Sequence, residues 1–305
     1  MQRHLIKKVL ELGGTLLAMS VIVFLLGRMT GDPVSLLLSE YATAQDRAQL
    51  TRELGLDQPL VKQYWVFVTH AVQGDLGRSV SGDRQPAMQL IGERLPASLK
   101  LASWALLISL TLGIPLGVLA AVKRGTAIDS AARIFALLGQ SVPVFWLGLV
   151  LMYLFSVQLG WLPTSGYGEW RHYVLPSVSM ALFTVAAVTR LVRVSMIDAL
   201  SSEYIKLARI KGVSEASVVW KHALRNSLIP VLTYMGAFFA TMITGAVVIE
   251  TVFSWPGIGR LAYESILNRD FPVMQAVVLV MTAIFMLANL AVDVAYVWLD
   301  PRMSR

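Results

Sequence analysis

The 305-residue chain has no cysteine, four histidines and only 15% charged residues. Without cysteine there are no disulfides, no thiolate metal sites and no thiol nucleophile. His4, His70, His172 and His222 are scattered, no His-Glu-x-x-His occurs, and none stands at ligand spacing from a carboxylate on one helix, so no metal site is expected. Gly-x-Ser-x-Gly is missing too, which removes the sequence mark of a nucleophile elbow. So is Gly-x4-Gly-Lys-Ser/Thr: the chain cannot bind and hydrolyse ATP through a P-loop, and any ATP-driven work falls to another polypeptide.

Where charge is scarce, apolar residues fill the space. They make up 56% of the chain, and the mean hydropathy is +0.63, a membrane protein's composition. A spanning helix needs about 20 largely apolar residues. Six stretches qualify: 9–27, 101–122, 134–157, 174–193, 228–249 and 276–299. Residues 101–122 and 227–249 carry no charge at all. Helices of a soluble core seldom run so long without a polar face, so the expected fold is an all-α integral membrane protein with six transmembrane helices.

Orientation follows from the basic residues. Arg3, Lys7 and Lys8, then Lys123, Arg124 and Arg133, then seven between Arg190 and Arg225, then Arg302 and Arg305 fall on one side of the six crossings. The opposite side is near neutral. Both termini are therefore expected in the cytoplasm. The net charge of +7 is used up by this asymmetry, and a nucleic-acid partner is not expected.

Residues 1–8 read as a short interfacial helix leading into the first span, the two together making up 1–27. A cleaved signal peptide is the rival reading, but no clear small-x-small cleavage site follows Leu26. Residues 28–99 form a long extracytoplasmic segment. It is punctuated by Gly31-Asp32-Pro33, by the run from Leu54 to Leu60 and by Gly74-Asp75-Leu76-Gly77, and is expected to fold as short amphipathic helices. Residues 100–305 form the core. In the third span, Gln140 and Pro143 predict a polar, proline-kinked helix, the kink either a packing device or a lining of the path. Trp161, Trp170 and Tyr173 are placed as an outer aromatic belt.

The longest basic loop, 196–227, lies between the fourth and fifth spans. It predicts a short helix ending at Gly212 as a C-cap glycine, and a second starting near Ser214. Tyr204, Ile205, Ala208 and Val213 are expected to form a small apolar knob at its tip, a docking surface for something in the cytoplasm. Charges inside a bilayer are costly. Asp293 shares a helix face with Asn289 and Tyr296, either edging a path or making an interhelical hydrogen bond. Glu250 closes the fifth span, either facing a cationic group at the entrance or capping the interface.

Glu203-Tyr204-Ile205-Lys206-Leu207-Ala208-Arg209-Ile210-Lys211-Gly212 followed by His222-Ala223-Leu224-Arg225-Asn226 resembles the cytoplasmic loop of ABC-importer permease subunits, nearest to the peptide/nickel group. The chain departs from the commoner loop pattern with Lys206, Leu207, His222 and Arg225, departures usual in that group. The outer phrases of 28–99, Trp255-Pro256-Gly257-Ile258-Gly259 and Asn268-Arg269-Asp270-Phe271-Pro272 extend the resemblance nearly end to end.

The resemblance implies the ABC importer type I permease fold in a bacterial inner membrane. It implies a second permease as heterodimer partner, two ABC ATPase subunits that bind ATP-Mg in place of any cofactor in this chain, and an extracytoplasmic solute-binding protein. It assigns ATPase coupling to Glu203, Tyr204, Ile205, Ala208, Lys211, Gly212 and Val213. Gln140, Pro143, Glu250, Asn289 and Asp293 are the candidates for the translocation path. The short connection 158–173 is similar to that of glutathione and nickel permeases. Peptide or glutathione import is the first reading, nickel or metal-chelate import the second, and an ion-coupled secondary transporter the alternative of another class.

Overall fold

The computed structural model describes residues 2–29, 34, 38, 43–53, 55–81 and 83–299, without the side chains of 2–7, 9 and 293–299. Among these the chain is helical, with one isolated bridge, between Arg78 and Pro86, as its only β pairing. The Gly31-Asp32-Pro33 phrase and Leu54 lie outside the described residues. Contacts divide the chain into two compact units, Met1–Pro96 with Gly257–Leu287, and Ala97–Pro256 with Ala288–Arg305.

Five helical stretches are long and apolar enough to cross a bilayer: Leu10–Met29, Ala87–Val122, Trp170–Leu200, Glu215–Gly245 and Phe271–Val292. A bent pair, Ala127–Ser141 and Val144–Gln158, whose axes meet at 99°, passes the same test taken together, which makes six if the pair counts as one broken span. Here the structure corrects the sequence. Pro143 does more than kink the third span: it ends it and starts another helix. Proline lacks an N–H and pushes its predecessor out of the helical region, and Val142 is extended at φ −79°, ψ 124°. The second span is also longer than its apolar core. Its helix starts at Ala87, through Glu93, Arg94 and Lys100, because charged residues interrupt a hydropathy window without opposing a helix.

In the first unit, α1 (Gln2–Met29) is followed by two short helices of the outer segment, α2 (Ala44–Glu53) and α3 (Leu60–Val72). Tyr64 of α3 meets Phe24 of α1 edge-on and Phe67 packs tilted against it, at ring-centre distances of 5.4 and 5.7 Å, and the Tyr64 and Ser20 hydroxyls are 2.8 Å apart. The start of α4 (Ala87–Val122) packs through Ala87 and Ile91 against α12 (Ile258–Leu267) and the start of α13 (Phe271–Leu299). Buried Asp270 ties this unit together: it accepts from the Ser79 hydroxyl and, more loosely, from the Val80 N–H at 3.3 Å.

The second unit is built on the rest of α4 with α5 (Ala127–Ser141), α6 (Val144–Met152), α7 (Trp170–Leu200), α8 (Glu203–Ile210), α9 (Glu215–Ser217), α10 (Leu224–Gly245) and α11 (Val247–Val252). Between membrane helices small residues permit the close approach that tight packing requires. Gly117 has Val192 Cβ 2.6 Å and the Thr189 carbonyl 2.7 Å from where its own Cβ would stand. Any larger residue there would force α4 away from α7. The core beneath collects Val118, Val188, Val192, Met196, Val218, Val231 and Met235.

Candidate functional site

The loop between α7 and α10 is a compact structure on the end of that core. Helix α7 stops at Leu200, and Ser202 turns the chain by adopting an extended ψ of 155°. Its hydroxyl bonds back to the Ala199 carbonyl at 2.5 Å and does not cap α8. At the far end of α8, Gly212 takes φ +76°, the left-handed conformation that costs an L side chain energy. The Gly212 N–H donates to Arg209 O at 3.0 Å and the Val213 N–H to Ala208 O at 3.2 Å, the pair of bonds that defines a Schellman C-cap. Gly212 is required by conformation alone, since a Cβ there would meet nothing within 4 Å.

Past the cap, Ser214 turns the chain into α9, at φ −60°, ψ 143° and without a side-chain cap bond. A wide π turn, Val218–Ala223, then joins α9 to α10, which runs through Pro230 without ending. Arg209 staples the two helices by donating to both Glu215 oxygens, at 2.6 and 3.1 Å. Those bonds hold the Arg209 guanidinium more firmly protonated than usual. Lys206 pairs with Glu203 at 2.7 Å.

The expected apolar knob is corrected in one respect. Ile205 is 0% exposed: it points down into the core with Val218 and Val219, and Ala208 and Val213 rest on the same cluster. Tyr204 stays outside at 42% exposed. The outward apolar residues are completed by Leu207 at 54% and Ile210 at 83%, which the sequence reading passed over as helix formers. Their three-residue spacing from Tyr204 was the signal for them, because i and i+3 share a helix face. The loop thus has a buried root (Ile205, Ala208, Val213) and an exposed face (Tyr204, Leu207, Ile210) flanked by exposed Glu203, Lys206 and Lys211. Such a face can seat in an apolar groove with charges at its rim.

The proposed path residues are placed differently. Gln140 sits in the last turn of α5 beside the break at Pro143. Its Nε2 is buried and has no hydrogen-bond partner among the described residues, as is true of the α7 hydroxyls of Ser177, Thr184 and Thr189. Glu250 does not stand open at an entrance: it is fully buried and accepts a 2.5 Å hydrogen bond from Ser98. Close by in sequence, the Trp255 indole donates to Ala97 O at 3.0 Å and meets Tyr167 and Tyr173 edge-on. Asn289 is half-buried on α13, while the side chains of Asp293 and Tyr296 lie outside the described residues.

One charged contact escaped the sequence reading. Asp129, in the first turn of α5, is 2% exposed and forms a bidentate pair with Arg193 of α7, at 2.5 and 3.0 Å. It also accepts the Gly125 N–H at 3.0 Å, and Gly125 has φ +81°. The pair pins the turn between α4 and α5 to α7. Its partners stand 64 residues apart, and nothing local in the sequence links them.

Residues 113–305 match the family described as "Binding-protein-dependent transport system inner membrane component", and residues 1–102 match its N-terminal counterpart. The chain is 43% identical over 302 residues to the glutathione transport system permease protein GsiC of Escherichia coli (strain K12) and to that of Salmonella typhi, covering 99% of this chain and 98% of each relative. Among solved structures it resembles an inward-facing MetNI methionine ABC transporter, with a TM-score of 0.59, 18% identity, 70% of this chain and 97% of that one covered. A second is an amino acid ABC transporter crystallised with histidines, with a TM-score of 0.52, 18% identity, and 68% and 94% covered.

Proposed function

Because the chain belongs to the binding-protein-dependent transport system inner membrane components, and is a multi-pass ABC importer permease subunit, we propose that it imports glutathione or small peptides across a bacterial inner membrane by alternating access. In this reading it forms one half of the path, a second permease forms the other, and an extracytoplasmic binding protein delivers the substrate. Both termini and the α8 loop face the cytoplasm, where two ATPase subunits carry the ATP-Mg and this chain carries no cofactor. The glutathione relatives, each matched along nearly its whole length, support the substrate class.

The observation that carries the coupling role is the two-sided α8. Its root is locked into the core that α4, α7 and α10 share, and its outer face presents Tyr204, Leu207 and Ile210. A rigid lever needs both: a partner that grips the outer face moves the membrane helices through the root. Coupling further requires that the nucleotide state of the partner favour one arrangement of the helices over another. Glu203 and Lys211 border the gripped face, and Gly212 sets its angle.

The test is uptake of labelled glutathione into vesicles holding this chain, its second permease and the ATPases, with the binding protein added outside the permease face. Uptake should need both ATP and binding protein. Accumulation by this chain without ATPases would contradict the reading.

A further inference from the structure

In the first unit a cavity of about 420 Å³ opens where the C-terminal end of α1 meets the N-terminal end of α13, within the range of roughly 300–1,000 Å³ that holds small ligands. The two ends are joined directly: Gln275 Nε2 donates to Val23 O at 3.1 Å. Three of the lining residues are arginines, Arg28, Arg78 and Arg84, and among the described residues no acidic side chain lines it, the carboxylate of Asp270 being engaged behind the wall by Ser79 and Val80. Among the described residues none of the three side chains is in an ion pair, and the side-chain contact found for them is Arg28 lying 5.3 Å over the Phe24 ring. The remaining wall is largely apolar, with Phe24, Phe67 and Phe271.

Two further features point to a ligand. Arg84 sits at φ +50°, a conformation that glycine adopts freely and arginine does not. Backbone preference alone would not put an arginine there. Beside the cavity, α3 turns Tyr64 and Phe67 onto α1 and leaves Val61, Trp65, Val66 and Val72 exposed on its other side. An amphipathic helix with an exposed tryptophan and valines on one side is of the kind that suits a membrane interface.

We propose that this cavity binds the phosphodiester of an anionic phospholipid, with Arg78 and Arg84 holding the phosphate from outside, Arg28 from the end of its span, and the phenylalanines receiving the glycerol and first acyl carbons. Guanidinium forks match phosphate oxygens bidentately, and that is the chemistry three arginines around an otherwise largely apolar cavity offer. Nothing in this depends on the transported substrate.

The assembled transporter, purified in neutral detergent and offered phosphatidylglycerol, phosphatidylcholine or inorganic phosphate, is examined by native mass spectrometry. Wild type should retain phosphatidylglycerol over phosphatidylcholine, and inorganic phosphate should not displace it. The Arg78→Gln/Arg84→Gln variant, in which two exposed residues stay polar, should retain it about tenfold more weakly. Arg84→Gly should also weaken it while unfolding at the same or a higher temperature, since the backbone strain is relieved. Equal retention by wild type and the double variant would overturn the proposal. So would equal retention of phosphatidylcholine, displacement by inorganic phosphate alone, or loss of binding-protein stimulation with lipid retention unchanged, which would assign the arginines to a protein partner.

Discussion

Gly212 and Asp129 show how single residues set local geometry, Gly212 at the C-terminal cap of α8 and Asp129 at the turn between α4 and α5. At φ +76° a β-branched side chain costs on the order of 1 kcal/mol and shifts the cap away from its two bonds. Because open space surrounds it, Gly212→Val should leave the protein folded. ATP hydrolysis in the assembled vesicles should continue while glutathione uptake falls, measured side by side; unchanged uptake per ATP would deny the cap any part in coupling. Asp129 belongs to the fold. Its loss leaves Arg193 without the carboxylate that balances it, and breaking a buried pair costs about 3–5 kcal/mol. Asp129→Ala should therefore lower the unfolding temperature and the amount of protein in the membrane, and a thermal melt of the purified complex reads it.

At the scale of elements, α8 divides into residues that root it and residues that offer it. Ile205→Ala removes a fully buried side chain from the core and should cost about 2–5 kcal/mol, seen as reduced protein level. Leu207→Glu with Ile210→Glu alters only exposed positions. Level should stay constant while the ATPase subunits no longer co-purify; retained ATPases would show that the exposed face is not the gripped one.

The same helix shows what the sequence made legible. Gly212 marked the C-cap and Ser214 the restart, because caps are local chemistry. Apolar Ile205 looked like part of the tip because a linear reading cannot tell the inward side of an eight-residue helix from the outward one without knowing where the core lies. The third span shows another limit: Pro143 announced an interruption, but whether the chain bends slightly or by 99° is decided by what packs around it. Of the candidate site, the turn chemistry was readable, whereas the contacts made across the chain, such as Asp129 with Arg193, were not.

For the molecule as a whole, hydropathy located the five long apolar helices and the bent pair found among the described residues, since about 20 apolar residues leave few other options. The native chain has no cysteine, so topology can be mapped with single introduced thiols and no background. Ser214→Cys should react with a membrane-impermeant maleimide only in inverted vesicles, and Lys62→Cys in α3 only in intact spheroplasts. The reverse pattern would place the loop outside the cell.

The central claim is that a partner ATPase grips the outer face of α8. Leu207→Cys, half-exposed on that face, tests it most directly: a short bifunctional thiol reagent applied to the assembled complex, with one cysteine introduced at the rim of the ATPase groove, should link the two subunits, and the yield should change with nucleotide. If Leu207→Cys is labelled freely in the assembled complex yet never joins the ATPase in any nucleotide state, α8 is not the lever.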